Sequence, residues 1–237
     1  MIETYTPIGT NQLLNCLTTF DRQLVLQNCE RVELIFGEKI NVSGKAIKYV
    51  YFPITCSISS LVELDEKKYF GMGLIGNEGM LGATLALGNK NAPMSFIVQC
   101  SGSALQMDAS LFRHQLKNNL ALRKLILNYL YIVLQQLAQT GACNNFHEVK
   151  QRLARWLLMT QDRTQSDHFY LTHQYLAKVM GVRRSAVTIA AGYLQQQGVI
   201  SYKRGQITVL SRSGLEKLCC ECYFADIHSY QRILTTL

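Results

Sequence analysis

The residues of this chain best placed to do chemistry are cations without counter-ions. Between positions 172 and 214 stand six Lys and Arg, at 178, 183, 184, 203, 204 and 212, and no Asp or Glu. A surface that merely solvates a protein mixes its signs. One sign over this length points to an anionic partner, and duplex DNA fits its shape. The chain of 237 residues has a net charge of +8. Residues 146–237 carry +6 of it and residues 1–145 only +2, so anion binding belongs to the C-terminal third.

The thiols are the second chemically capable set. Eight cysteines, at 16, 29, 56, 100, 143, 219, 220 and 222, lie scattered without the framework of a secreted domain, which suits a reducing compartment and free thiols. Cys219, Cys220 and Cys222 could bind a metal with His228 or sense oxidation, yet no second pair has ligand spacing, so ordinary helix thiols are expected. Cys143 and His147, four residues apart, share a helix face, but two ligands do not make a site; neither group is expected to be metallated. No nucleophile has an identifiable histidine and orienting carboxylate, so the chain is not read as an enzyme.

The elements that must position the cations begin at 171–199, LTHQYLAKVMGVRRSAVTIAAGYLQQQGV. Thr172 is an N-cap type ahead of a short helix with Tyr175, Leu176, Val179 and Met180 on one face. Ala177 marks a close helix crossing and Gly181 a turn of positive φ. A second helix buries Val187, Ala190, Ala191 and Leu194 and turns Arg183, Arg184, Ser185 and Thr188 outward. Residues 200–210 then alternate about Lys203-Arg204-Gly205 as a hairpin. A helix-turn-helix followed by a basic-tipped hairpin is a winged helix.

With 48% hydrophobic residues the chain is globular. There is no secretory signal or membrane-length apolar run, which predicts a cytoplasmic protein with no membrane partner. Residues 11–29 predict one or two short helices, with Asp21 able to cap. Alternating stretches at 32–44, 49–52, 56–64, 69–75, 94–100 and 103–107, separated by turns that include 65–68, predict an antiparallel sandwich or barrel. From about Ser110 the period becomes helical. Leu116, Leu120, Arg123, Leu127, Leu130, Leu134, Leu137 and Gly141 form a heptad seam, and Leu122, Ile126, Tyr129 and Val133 a second stripe. Two apolar faces call for two partners: the chain's own domain and a matching helix from a second copy. A helix at 146–159, with Val149, Leu153, Trp156 and Leu157 inward, a polar linker at 161–168 and a covering helix at 213–230 complete the reading.

The order of these parts, with Gly37-Glu38, Ile40, Gly44, 49–52, the 79–82 turn, Gln151-Arg152, 153–157 and Gly198-Val199-Ile200, resembles the Crp/Fnr superfamily over nearly the whole chain. The resemblance implies an α+β fold: a β-roll sensor at 1–112, a dimerisation helix at 113–145 with Leu120, Leu127, Leu130, Leu134 and Leu137 in its seam, and a winged helix-turn-helix at 146–237. It implies a homodimeric transcription regulator acting on a pseudo-palindromic operator, with RNA polymerase as a further partner. Arg184 matches the guanine-reading arginine of the family, a contact worth roughly 1–3 kcal/mol of discrimination. Ser185 and Ile189 depart from that pattern, so a different operator follows. Arg183, Ser185 and Thr188 are candidates for base or phosphate contacts, and Thr172, His173, Gln174, Lys203 and Arg204 for phosphate.

The cyclic-nucleotide pocket departs further. Gly82 is followed by Ala83, where cyclic-AMP binders have glutamate, and their Arg-Ser pair falls at about Pro93-Met94. A phosphate buried without a cation or N–H donors is badly desolvated, which argues against cyclic AMP and leaves the effector unknown. Cys16 and Cys29 alone are too few and too far apart for the family's N-terminal iron–sulfur cluster, so none is expected. The competing reading is a small-molecule-binding protein whose winged helix contacts another protein.

Overall fold

The computed structural model describes residues 10–65 and 68–234. Helices α1 (Gln12–Asn15) and α2 (Thr19–Leu26) open it. Thr18, not Asp21, caps α2: its Oγ1 accepts from the Asp21 amide and its hydroxyl donates to the Asp21 carboxylate at 2.8 Å. Strands β1 (Glu30–Leu34), β2 (Lys39–Asn41), β3 (Tyr49–Pro53), β4 (Ser57–Asp65), β5 (Lys68–Ile75), β6 (Ser95–Cys100) and β7 (Gly102–Asp108) follow. They pair antiparallel as two sheets, β1-β7-β3 and β2-β6-β4-β5, the expected roll. The alternating stretch 32–44 is split between the sheets, because the Glu38 amide bonds the Ile35 carbonyl at 3.0 Å and Gly37 takes φ +84°. The expected turn at 65–68 includes residues 66 and 67, which lie outside the described residues.

Helix α3 (Ala109–Asn118) stops at Asn119, and α4 (Leu120–Phe146) starts there. Asn119 adopts extended backbone and accepts from the Leu122 amide at 2.8 Å, a cap that breaks the helical period. Leu116, expected in the heptad seam, therefore belongs to α3 and is buried. Helix α5 (Val149–Thr164) begins later than expected, under a Glu148/Gln151 capping box, and runs on into the first half of the supposed linker. Polar Gln161, Arg163 and Thr164 are buried there because each finds partners; Arg163 Nε donates to the Leu74 carbonyl at 3.1 Å.

Next come β8 (His168–Tyr170), α6 (His173–Met180), α7 (Arg184–Gln196), β9 (Ile200–Lys203) and β10 (Gln206–Val209). The wing hairpin gains a third strand absent from the sequence reading, in the order β8-β10-β9. The expected helix at 213–230 is two, α8 (Arg212–Leu218) and α9 (Cys222–Leu234), because Cys219 turns extended at the end of α8.

Among the described residues two large hydrophobic cores result, beside a small cluster of Cys143, Cys220 and Cys222. The roll's core takes Leu122, Ile126 and Tyr129 from α4, as the second stripe predicts. The C-terminal core reaches into the roll to enclose Leu61, Leu74 and Cys100, so the winged helix is docked on the β4–β5–β6 sheet. Buried Gln99 holds this junction: it accepts from Trp156 Nε1 at 3.1 Å and Ser59 at 3.0 Å, and donates to Thr160 at 3.0 Å.

Candidate nucleic-acid interface

Helix α6 starts where Thr172 Oγ1 accepts the Tyr175 amide at 3.1 Å, leaving its hydroxyl proton free to donate outward. Leu176, Ala177, Val179 and Met180 are buried, with Tyr175 half-buried. Gly181 takes φ +64°, and a Cβ there would lie 2.6 Å from the Phe70 ring of the roll, so the turn and the docking both require glycine. Val187, Ala190, Ala191 and Leu194 face inward from α7, as their spacing predicts.

The opposite face of α7 is open. Arg183, Arg184, Ser185 and Thr188 are exposed, as is Gln174 at the start of α6. Arg183 is the N-cap of α7 and makes no side-chain cap bond, and its carbonyl accepts from the Ala186 amide at 3.0 Å. At the wing tip Arg204 (φ +51°) and Gly205 (φ +88°) form the left-handed pair of a two-residue hairpin turn and hold Lys203 and Arg204 in solvent.

The acid-free stretch divides once folded. Arg212 pairs with Asp162 at 2.7 Å and Glu216 at 3.0 Å, and Lys178 lies over the Tyr69 ring at 5.9 Å. Arg183, Arg184, Lys203 and Arg204 form no ion pair among the described residues. Four cations thus remain for an external anion.

His173 and Thr188, expected to touch phosphate or bases, are bonded to each other, with Nδ1 3.0 Å from Oγ1. Thr188 donates to the Arg184 carbonyl at 3.1 Å, so the imidazole Nδ1–H is the donor in the first bond. Burial and then the Arg184 charge push the His173 pKa down. One residue with a structural role in the head was not picked out from sequence. Gln195 Oε1 accepts the Tyr202 amide at 3.2 Å and ties wing to helix. Ile189, where the resemblance expects a second arginine, is 74% exposed on the outer face of α7, an apolar group held out to solvent.

Along α4, Leu120, Leu127 and Leu134 are exposed, as the seam requires, joined by Tyr131. Leu130 and Leu137 depart from that assignment. They are half-buried and line a cavity between roll and helix, because α4 continues at nearly 3.6 residues per turn and rotates these positions toward the sheet. Gly82, Ala83, Pro93 and Met94 line the same cavity, and no Lys, Arg, Asp or Glu is among its lining residues.

The two cysteine groups also meet: Cys143 and His147 adjoin Cys220 and Cys222. Cys219 bonds the Glu216 carbonyl at 3.3 Å, and exposed His228 lies outside the group.

Residues 151–218 match the family model of the Crp-like helix-turn-helix domain. No curated protein matches the chain in sequence. Solved structures share its fold. FixK2 from Bradyrhizobium japonicum superposes with a TM-score of 0.68 at 15% identity, over 81% of this chain and 98% of that one. The c-di-GMP responsive global regulator CLP of Xanthomonas campestris gives 0.64 at 14%, over 82% and 100%. A CRP-family transcriptional regulator from Thermus thermophilus gives 0.63 at 16%, over 79% and 95%.

Proposed function

We propose that this chain, which has the fold of Crp/Fnr regulators and carries a Crp-like helix-turn-helix domain, is a sequence-specific DNA-binding transcription regulator that works as a homodimer. The observation that carries the reading is the exposed outer face of α7 beside a basic wing tip, with four cations that form no ion pair among the described residues. Arg184 reads a base edge in the major groove, and Arg183, Lys203, Arg204 and the Thr172 hydroxyl hold phosphates. Ile189 sits where an apolar side chain can meet a thymine methyl.

Dimerisation follows from the exposed stripe of α4. Leu120, Leu127, Tyr131 and Leu134 lie in a row on one helix, too apolar to be left in water when a second copy offers the same row. Pairing about a two-fold axis sets two recognition helices about 34 Å apart, in successive major grooves. RNA polymerase remains a further partner in this reading.

The effector site is the cavity between roll and α4. Its walls are apolar apart from neutral groups such as Thr84 and Gln136, which favours an uncharged, largely apolar ligand over cyclic AMP. Because α4 lines the cavity with Leu130 and Leu137 and presents Leu127 and Leu134 on its outer face, a ligand that shifts the helix also shifts the seam.

The test is selection of random duplex DNA by the purified protein, with and without cell extract, at near-physiological salt. The expected result is a two-fold symmetric motif with half-sites about 10 base pairs apart. Enrichment of nothing under either condition would overturn DNA reading, and a single unpaired half-site would overturn the dimer.

A further inference from the structure

Cys143 lies in the last turn of α4 and His147 caps that helix, while Cys220 and Cys222 flank the start of α9. The four residues come from segments more than seventy positions apart, and the DNA-binding face uses none of them. Their ligand atoms all lie within 4.8 Å of one another. Cys143 Sγ is 3.5 Å from Cys220 Sγ, and Cys222 Sγ is 3.6 Å from His147 Nδ1.

Those distances select a geometry. A tetrahedral ion with metal–sulfur bonds of about 2.3 Å and metal–nitrogen bonds of about 2.0 Å spaces its donors about 3.5 to 3.8 Å apart. An iron–sulfur cluster shares its ligands over two or more irons and so spreads them farther apart than the 4.8 Å within which all four of these donors lie. The surroundings are those of a closed site. Each of the three thiols is only 1% exposed. His147 turns Nδ1 toward the sulfurs and Nε2 toward Glu221 Oε1 at 3.1 Å, the carboxylate–histidine pairing that orients a metal ligand. Gln139 Nε2 donates to Cys222 Sγ at 2.9 Å, a bond a thiolate accepts better than a thiol. Buried Arg155, paired with Asp226 at 2.6 Å, lies beside Cys143.

We propose that Cys143, His147, Cys220 and Cys222 form a closed site for one four-coordinate, thiophilic divalent cation of the zinc class. Binding releases the thiol protons still present. Three thiolates and a divalent ion leave one net negative charge; the Gln139 amide donates to it, and the guanidinium of Arg155, itself paired with Asp226 at 2.6 Å, lies beside it. The ion ties the end of the long helix to the α8–α9 turn, so the helix that lines the roll cavity becomes fixed to the DNA-binding unit.

The probe is cobalt(II), added anaerobically to reduced, chelator-treated full-length protein and then displaced with zinc(II). The expected result is one cobalt per chain with the intense visible bands of a tetrahedral thiolate centre, bleached by one equivalent of zinc. Cys219→Ser keeps those bands, and Cys143→Ser and Cys220→Ser lose them. Glu221→Gln, which alters an exposed side chain and leaves the fold intact, weakens cobalt binding by about tenfold. Absence of binding to the unmodified chain overturns the proposal. So do the weak bands of an octahedral ion, bands that survive both Cys143→Ser and Cys220→Ser, and iron with acid-labile sulfide in protein purified without air.

Discussion

The His173 ring stacks on that of Tyr202, with centroids 4.1 Å apart and planes 15° from parallel, while its Nδ1 reaches Thr188 at 3.0 Å. One imidazole thus joins the first helix of the reading head to the recognition helix and to the wing. The relative placement of Arg184 and the Lys203-Arg204 tip is set by this contact, not by the turn at Gly181 alone.

Tyr202→Ala removes a ring pair worth about 0.5 to 1.5 kcal/mol. DNA affinity measured by fluorescence anisotropy should weaken by roughly threefold to tenfold, with base preferences unchanged, because the wing loosens while α7 keeps its place. A changed preference at the base read by Arg184 would contradict this account.

The depressed pKa of His173 gives a signed dependence on pH. The unfolded histidine protonates near its ordinary value of 6.5, whereas the folded one, buried beside Arg184, resists until lower pH. The unfolded state therefore binds more protons in that window, and stability falls as pH drops from about 6.5 through the folded value. Thermal unfolding of His173→Gln should show a shallower acid decline than the parent; equal slopes would remove His173 from the explanation.

Arg184→Ala and Lys203→Ala should separate reading from holding. The first should cost roughly 1–3 kcal/mol against the preferred operator and relax one position of the motif. The second should weaken all sequences alike and lower the salt slope of binding by about one. Competition titrations at several salt concentrations distinguish the two.

Leu127→Glu with Leu134→Glu places charge on positions that are 38% and 62% exposed in a single chain. Sedimentation should show a monomer with unchanged helical content. A dimer of unaltered affinity would move the interface away from α4.

Glu78 and Arg163 form a nearly buried pair at 3.0 Å between the roll and α5. Glu78→Ala strands the guanidinium there, and the expected loss is about 3–5 kcal/mol in urea unfolding. A loss below 1 kcal/mol would mean that Arg163 is satisfied by the Leu74 and Met159 carbonyls alone.

Much of this protein is written locally. The roll strands follow from alternation, α6 and α7 from the apolar stripe around Gly181, and the wing from a left-handed pair at Arg204-Gly205. Each depends on neighbours within a few residues, where side-chain direction is fixed by the backbone period. The exposed cations of α7 were legible for the same reason, since four buried positions on a helix dictate what its other face must show.

What tertiary structure decided concerns residues whose fate depends on distant partners. Arg163 and Thr164 look like linker yet are buried, because Glu78 and backbone carbonyls satisfy them. Leu130 and Leu137 look like seam yet face the roll, because the sheet offers a cavity at that height. His173 looks like a phosphate ligand yet spends its donor on Thr188. Cys143 and His147 offer half of a coordination shell and Cys220 and Cys222 the other half, and only the packing of α9 on α4 brings the halves together. Spacing along the chain fixes which side chains share a helix face; it carries no information about which faces meet, and that is set by burying two cores at once.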